Sequence, residues 1–146
     1  NHSSAASDVY KRQDDDNTTT LQNIQWDDFS ETDNCFTQGG FIWSSGVVTV
    51  PIAGVYSFSV VLRINDITTG FIAARIIKNN DVTDNRELYI ISEKSASGLY
   101  LNLTGSGIFK LNASDTIQVA MNTGGSTPDT SYSVDPASTF SGHLIG

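Results

Sequence analysis

From Gly54 onward, Tyr56, Phe58, Val60, Leu62 and Ile64 alternate with Val55, Ser57, Ser59, Val61 and Arg63. Successive side chains of a β-strand point to opposite faces, so this period-two run gathers the aromatic and aliphatic set on one face and predicts a half-buried strand. The pattern recurs twice. Leu99, Leu101 and Leu103 alternate with Tyr100, Asn102 and Thr104, and Ile117, Val119 and Met121 with Thr116, Gln118 and Ala120. Phe71 to Ile77 and Glu87 to Ile91 are short apolar runs that suit inner strands. Between them lie Thr68-Thr69-Gly70, Asn79-Asn80-Asp81, Ser95 to Gly98, Asn112 to Asp115 and Gly124 to Pro128, clusters of residues that tolerate left-handed backbone or bond their own main chain. No stretch of ten or more residues shows apolar spacing at three and four. Many short strands joined by regular turns predict an all-β fold, an antiparallel sandwich or barrel.

Composition narrows what such a sandwich can do. A chain of 146 residues with 16% charged side chains, 12 glycines and 3 prolines is one ordinary domain, which excludes collagen, coiled coil and full-length disorder. The most apolar stretch, Val47 to Ile64, is interrupted by Pro51, Gly54, Ser57, Ser59 and Arg63, so no membrane-spanning helix and no membrane insertion are expected. Eight basic against sixteen acidic side chains leave a net charge of -8, which repels phosphate backbones and predicts no nucleic-acid partner. The single Cys35 and two histidines supply neither an internal disulfide nor a four-ligand structural zinc site.

Ser3 to Gln13 reads SSAASDVYKRQ and looks like a transposase sequencing adaptor translated in frame, DVYKRQ being the transposon-end portion. On this reading residues 1–13 are a sequencing artefact from environmental DNA, the true N-terminal part of the parent protein is missing, and residues 14–20 are a polar lead-in or the remnant of a lost stalk. Residues 21–146 form the folded unit.

The order of certain residues within that unit goes beyond periodicity. Gly46-Val47-Val48-Thr49-Val50-Pro51-Ile52-Ala53-Gly54-Val55-Tyr56-Ser57-Phe58 resembles the Gly-x-Phe-Thr-x-Pro-x-x-Gly-x-Tyr-x-Phe hallmark of the C1q globular-head family. Leu99 to Leu103 and Phe109 to Val119 are similar to that family's leucine-rich strand and its Leu-x-x-Gly-Asp-x-Val segment. Thr139-Phe140-Ser141-Gly142-His143-Leu144-Ile145 resembles its closing Phe-Ser-Gly-Phe-Leu-Leu strand. Pro51, Gly54, Tyr56, Phe58, Phe140 and Gly142 are the positions that carry the motif. Val48 stands where the family usually has Phe, Ser114 where it has Gly and His143 where it has an aromatic. The resemblance implies a jelly-roll sandwich of about ten strands, close to the tumour necrosis factor fold, assembled as a homotrimer at the C-terminal end of a stalk. It also implies that His143, on the last strand, faces the trimer interface.

Few residues suggest chemistry. A nucleophile needs a base within hydrogen-bond reach, and the only histidine outside the adaptor-like run is His143, with no Gly-x-Ser-x-Gly elbow anywhere. Cys35 with His143, and the carboxylates of Asp27/Asp28 or Glu31/Asp33, read as packing and solvated loop charge, so no enzyme is expected. Asn79, Asn80, Asp81, Asp84, Asn85 and Arg86, together with Asp129, form the candidate ligand-binding set, on loops that a rigid sandwich presents to a partner. Asp81, Asp84 and Glu87 supply oxygen ligands of the kind calcium prefers, although not at EF-hand spacing. Trp26, Phe36, Phe41 and Trp43 have the chemistry to stack on sugar rings or anchor a partner interface, but they are read as closing one end of the sandwich or burying between protomers. The expectation is a non-catalytic trimeric head, extracellular, at a cell surface or on a virion such as a phage fibre tip, attaching to a glycan or surface protein. The alternatives are a trimerisation cap without a ligand of its own and, more remotely, a small glycan-processing enzyme.

Overall fold

The computed structural model describes residues 4–11, 21–24, 26, 36–66, 69–81, 88–93, 100–127 and 132–146. Eleven strands occupy them: β1 (Ser4–Lys11), β2 (Gln22–Asn23), β3 (Phe36–Thr37), β4 (Ile42–Ser44), β5 (Val47–Thr49), β6 (Gly54–Asn65), β7 (Phe71–Lys78), β8 (Leu88–Glu93), β9 (Tyr100–Leu111), β10 (Thr116–Gly124) and β11 (Ser133–Leu144). Every pairing is antiparallel. One sheet runs β3-β1-β11-β6-β9; the other runs β4-β5-β10-β7-β8, with β2 also paired to β10. These are the two layers of an antiparallel jelly roll. Among the described residues no helix is long and apolar enough to cross a membrane.

The alternation on β6 does what its period dictates. Tyr56, Phe58, Val60, Leu62 and Ile64 all point into the core, which they share with Ile72, Ile76, Leu103, Phe109, Ile117, Val119, Met121 and Phe140. Phe58 stacks on Phe140 with ring centroids 5.7 Å apart and meets Phe109 edge-on at 5.8 Å. Its ring has room because the residues opposite it on both neighbouring strands are glycines, Gly142 on β11 and Gly107 on β9. The glycines that interrupt the alternation after Thr104 therefore do not end the strand. Gly105 and Gly107 lie opposite Val60 and Phe58, and β9 continues to Leu111. Trp26 stacks on Phe140, Phe41 meets Tyr56 edge-on, and Trp43 packs on the core margin, so these aromatics close the sandwich.

Two features add to the sequence reading. Ser4–Lys11, set aside there as adaptor-like, is a strand paired with β11 on one side and β3 on the other. Ladder hydrogen bonds come from the main chain, so a segment can complete a sheet whatever the origin of its side chains. The last strand begins at Ser133 rather than near Thr139, bending at an irregularity between Val134 and Thr139 that Pro136 tolerates because a bulge needs no amide there.

Candidate functional site

Of the candidate ligand-binding residues, Asn79, Asn80 and Asp81 are described, and strand direction gathers them at one end of the molecule. The turn after β7 sits beside the start of β10 and the end of β9. Asn79 and Asn80 both adopt positive φ there, a conformation asparagine accepts more readily than most residues. Asn79 donates its side-chain amide to Asp115 Oδ1 at 2.8 Å and accepts the Thr116 amide on Oδ1 at 2.8 Å. Asp115 Oδ2 accepts the Asn112 amide at 2.8 Å and lies 3.4 Å from Lys78 Nζ. Asn80 Oδ1 accepts a hydrogen bond from Gln118 Nε2. The hydrogen bonds from Asn79 and Asn112, with the Lys78 charge, hold the Asp115 carboxyl below the usual carboxylate range. These two asparagines thus staple the β7–β8 turn to the β9–β10 turn, and their side-chain oxygens are engaged with protein.

Asp84, Asn85, Arg86, Glu87 and Asp129 lie outside the described residues, as do Cys35 and the pairs Asp27/Asp28 and Glu31/Asp33. Of the calcium set only Asp81 is described, and among the described residues no three His, Cys, Asp or Glu side chains come together as metal ligands. The loop between β6 and β7 and the one between β10 and β11 meet at the opposite end, where Thr69 donates to the Thr127 carbonyl at 2.8 Å. The eight residues of β7 separate that end from Asn79 by about 23 Å. Among the described residues, Asn79 and Thr127 therefore stand at opposite ends of the sandwich.

A cluster that sequence reasoning did not find lies at this second end, where β6 finishes and β9 and β11 begin. Arg63 stacks its guanidinium 3.7 Å above the Tyr100 ring and turns Nε toward Asp135 Oδ2 at 3.8 Å. Its backbone is fixed by Ser138, whose hydroxyl accepts the Arg63 amide at 3.0 Å and donates to the Arg63 carbonyl. Asp135 in turn accepts the Ala137 amide at 2.9 Å and the Asn65 side-chain amide at 3.0 Å. The Ala137 hydrogen bond, with Asn65 and Arg63, holds the Asp135 carboxyl below its ordinary range. The only signal in the sequence was parity: Arg63 and Tyr100 each fall on the polar side of an alternating run. Asp115 and Asp135 stand at opposite ends of β6, about 35 Å apart by strand rise, too far to act as an acid/base pair.

The face of the first sheet turned away from the core is the third candidate surface. Register places His143, Ser57 and Ile108 in one row across β11, β6 and β9, then Ser141, Ser59 and Ser106, then Thr139, Val61 and Thr104. Short hydroxyl side chains leave it flat. Ile108, at 71% exposure, and Val61, at 41%, are large apolar groups left in water on it.

Residues 11–145 match the family model described as the C1q domain. Two solved structures of murine APRIL share the fold, one at pH 5.0 with a TM-score of 0.71 and 16% sequence identity, one at pH 8.0 with 0.72 and 15%. Each alignment covers 99% of this chain and 100% of the other. None of the curated proteins matches the chain. Domains of this C1q and tumour necrosis factor-like kind are commonly trimeric binding heads of extracellular proteins and typically not enzymes. Gly54, Tyr56, Phe58, Phe140 and Gly142 meet around one aromatic stack in a two-layered jelly roll, and with the family model spanning nearly every residue, the chain belongs to the C1q domain family.

Proposed function

We propose that this chain is the trimeric binding head of a longer extracellular or virion-borne protein, attaching it to a glycan or surface protein without catalysis. The observation that carries the proposal is the outward face of the β3-β1-β11-β6-β9 sheet, where Ile108 and Val61 stand exposed among serines and threonines. Two large apolar groups left in water on one flat, strand-built face support its reading as an interaction surface, and burying them between copies removes them from water. His143 shares a row with Ile108, across Ser57, which supports the reading of His143 as a residue of the protomer joint. Three copies on one rigid body present each weak site three times, and avidity then rises by orders of magnitude without any new contact.

Light scattering on a size-exclusion column tests the assembly: three chains are expected for the wild type and monomers for Ile108→Glu, whose charge the interface cannot accommodate. A monomeric wild type would remove the proposal. A trimer that binds nothing on a glycan array or on intact cells would favour the cap reading, in which the domain only locks its stalk.

A further inference from the structure

We propose that Arg63 and Tyr100 form a binding site for a carboxylate-bearing saccharide, a more specific version of the attachment reading above and dependent on it. The guanidinium is planar, and its Nε edge is turned toward Asp135. Among the described residues no acceptor meets the two terminal amino groups. That leaves a pair of parallel donors, the geometry that recognises a carboxylate through two hydrogen bonds. Arg63 is positioned by Tyr100 beneath it and Asp135 beside it, with Ser138 holding its backbone amide and carbonyl. A donor pair fixed before the ligand arrives loses little entropy on binding.

Two further groups indicate a sugar rather than a bare anion. Tyr100 is 50% exposed, and an exposed aromatic ring offers an apolar surface for the C–H face of a pyranose. Asn65 fixes its side-chain amide by donating to Asp135, which leaves Asn65 Oδ1 as a buried acceptor without a partner. An orphaned polar atom of this kind is costly unless a water or a ligand group completes its hydrogen bonding. Asn102, opposite Arg63 on β9, adds an exposed amide within the same patch. The net charge of -8 disfavours polyanions, so a saccharide with a single carboxylate suits this surface better than a phosphate or sulfate array. Arg63 lies about 20 Å along β6 from the row holding Ile108 and His143 but only two residues, about 7 Å, from Val61, so the site adjoins the loop end of the proposed protomer joint.

The experiment titrates the wild-type chain with a glucuronate-containing tetrasaccharide, its neutral glucose counterpart and an acetylated dipeptide bearing a free carboxylate, with light scattering on every variant. The acidic tetrasaccharide should bind at least tenfold more tightly than either control. Arg63→Lys, which keeps the charge and removes the fork, and Tyr100→Ala should each weaken it tenfold or more while the oligomer and fold persist. Equal binding of the neutral sugar, or of the dipeptide, would overturn the assignment. So would dissociation of the oligomer by either variant, because the cluster would then be a protomer contact. Failure of the acidic sugar while another glycan still binds sinks this site alone, whereas failure of every glycan and surface protein sinks the attachment reading with it.

Discussion

Replacing Gly142 with alanine isolates one contact in the core. A Cβ built on Gly142 would lie 2.2 Å from Cδ1 and 2.4 Å from Cε1 of the Phe58 ring. The backbone of Gly142 is not in the left-handed region, so alanine brings no conformational penalty and the collision is the whole perturbation. Phe58 cannot step aside, since Phe140 stacks on it at 5.7 Å, Phe109 meets it at 5.8 Å and Tyr56 follows at 6.2 Å. Overpacking of this kind costs about 3 kcal/mol, the upper end for small-to-large changes in a packed core. For a chain of this length that lowers Tm by roughly 6–12 °C. Urea unfolding at a fixed protein concentration should show the midpoint falling with the slope unchanged. Phe58→Leu alone should cost roughly 1–2 kcal/mol through lost ring contacts, yet in the double variant it should recover part of the Gly142→Ala loss. A coupling of about 1–2 kcal/mol in that double-mutant cycle is expected. Strict additivity, or a Gly142→Ala protein within about 0.5 kcal/mol of wild type, would show that the ring has freedom and that the reasoning is wrong.

Asn79→Ala removes both staple hydrogen bonds from a residue at positive φ, and should destabilise by about 1–3 kcal/mol in the same urea assay; a change within error would mean the turn holds without it. Asp115 has a lowered pKa in the fold, so its stabilisation is present above its unfolded value of about 3.9 and is lost as pH falls through the folded value. Asp115→Asn should therefore be less stable than wild type at neutral pH and converge with it in acid, and parallel pH curves would refute the sign. Tyr56→Phe deletes the hydrogen bond from the phenol to the Ile52 carbonyl at 2.7 Å and should cost about 1 kcal/mol, read as a shift in urea midpoint; no shift would show that bond to be idle. A calcium chelator should leave the oligomer intact, because the face assigned to assembly carries hydroxyl and apolar side chains in its central rows; loss of the trimer on chelation would contradict that assignment.

The sequence by itself determined the layer architecture and most of the core. Period two on β6 and β10 forces Tyr56, Phe58, Ile117 and Met121 to one side, and only a second sheet can cover them. The motif around Pro51, Gly54 and Tyr56, with Phe140 and Gly142, carried the family because those residues answer to local constraints of turn, strand end and core volume. Tertiary structure alone decided which distant strands lie side by side. Nothing in the sequence says that Gly107 and Gly142 both stand opposite Phe58. The same holds for the sites. Asn79 and Asn80 have a ligand's chemistry, but their positions beside Asp115, Thr116 and Gln118 commit them to the fold. Arg63 and Tyr100 lie 37 positions apart and Asp135 a further 35 along the chain, so their meeting depends on the order of β11, β6 and β9 in one sheet. Local patterns fix what a strand buries, whereas long-range hydrogen bonding fixes whom it meets, and a binding surface is assembled from the second.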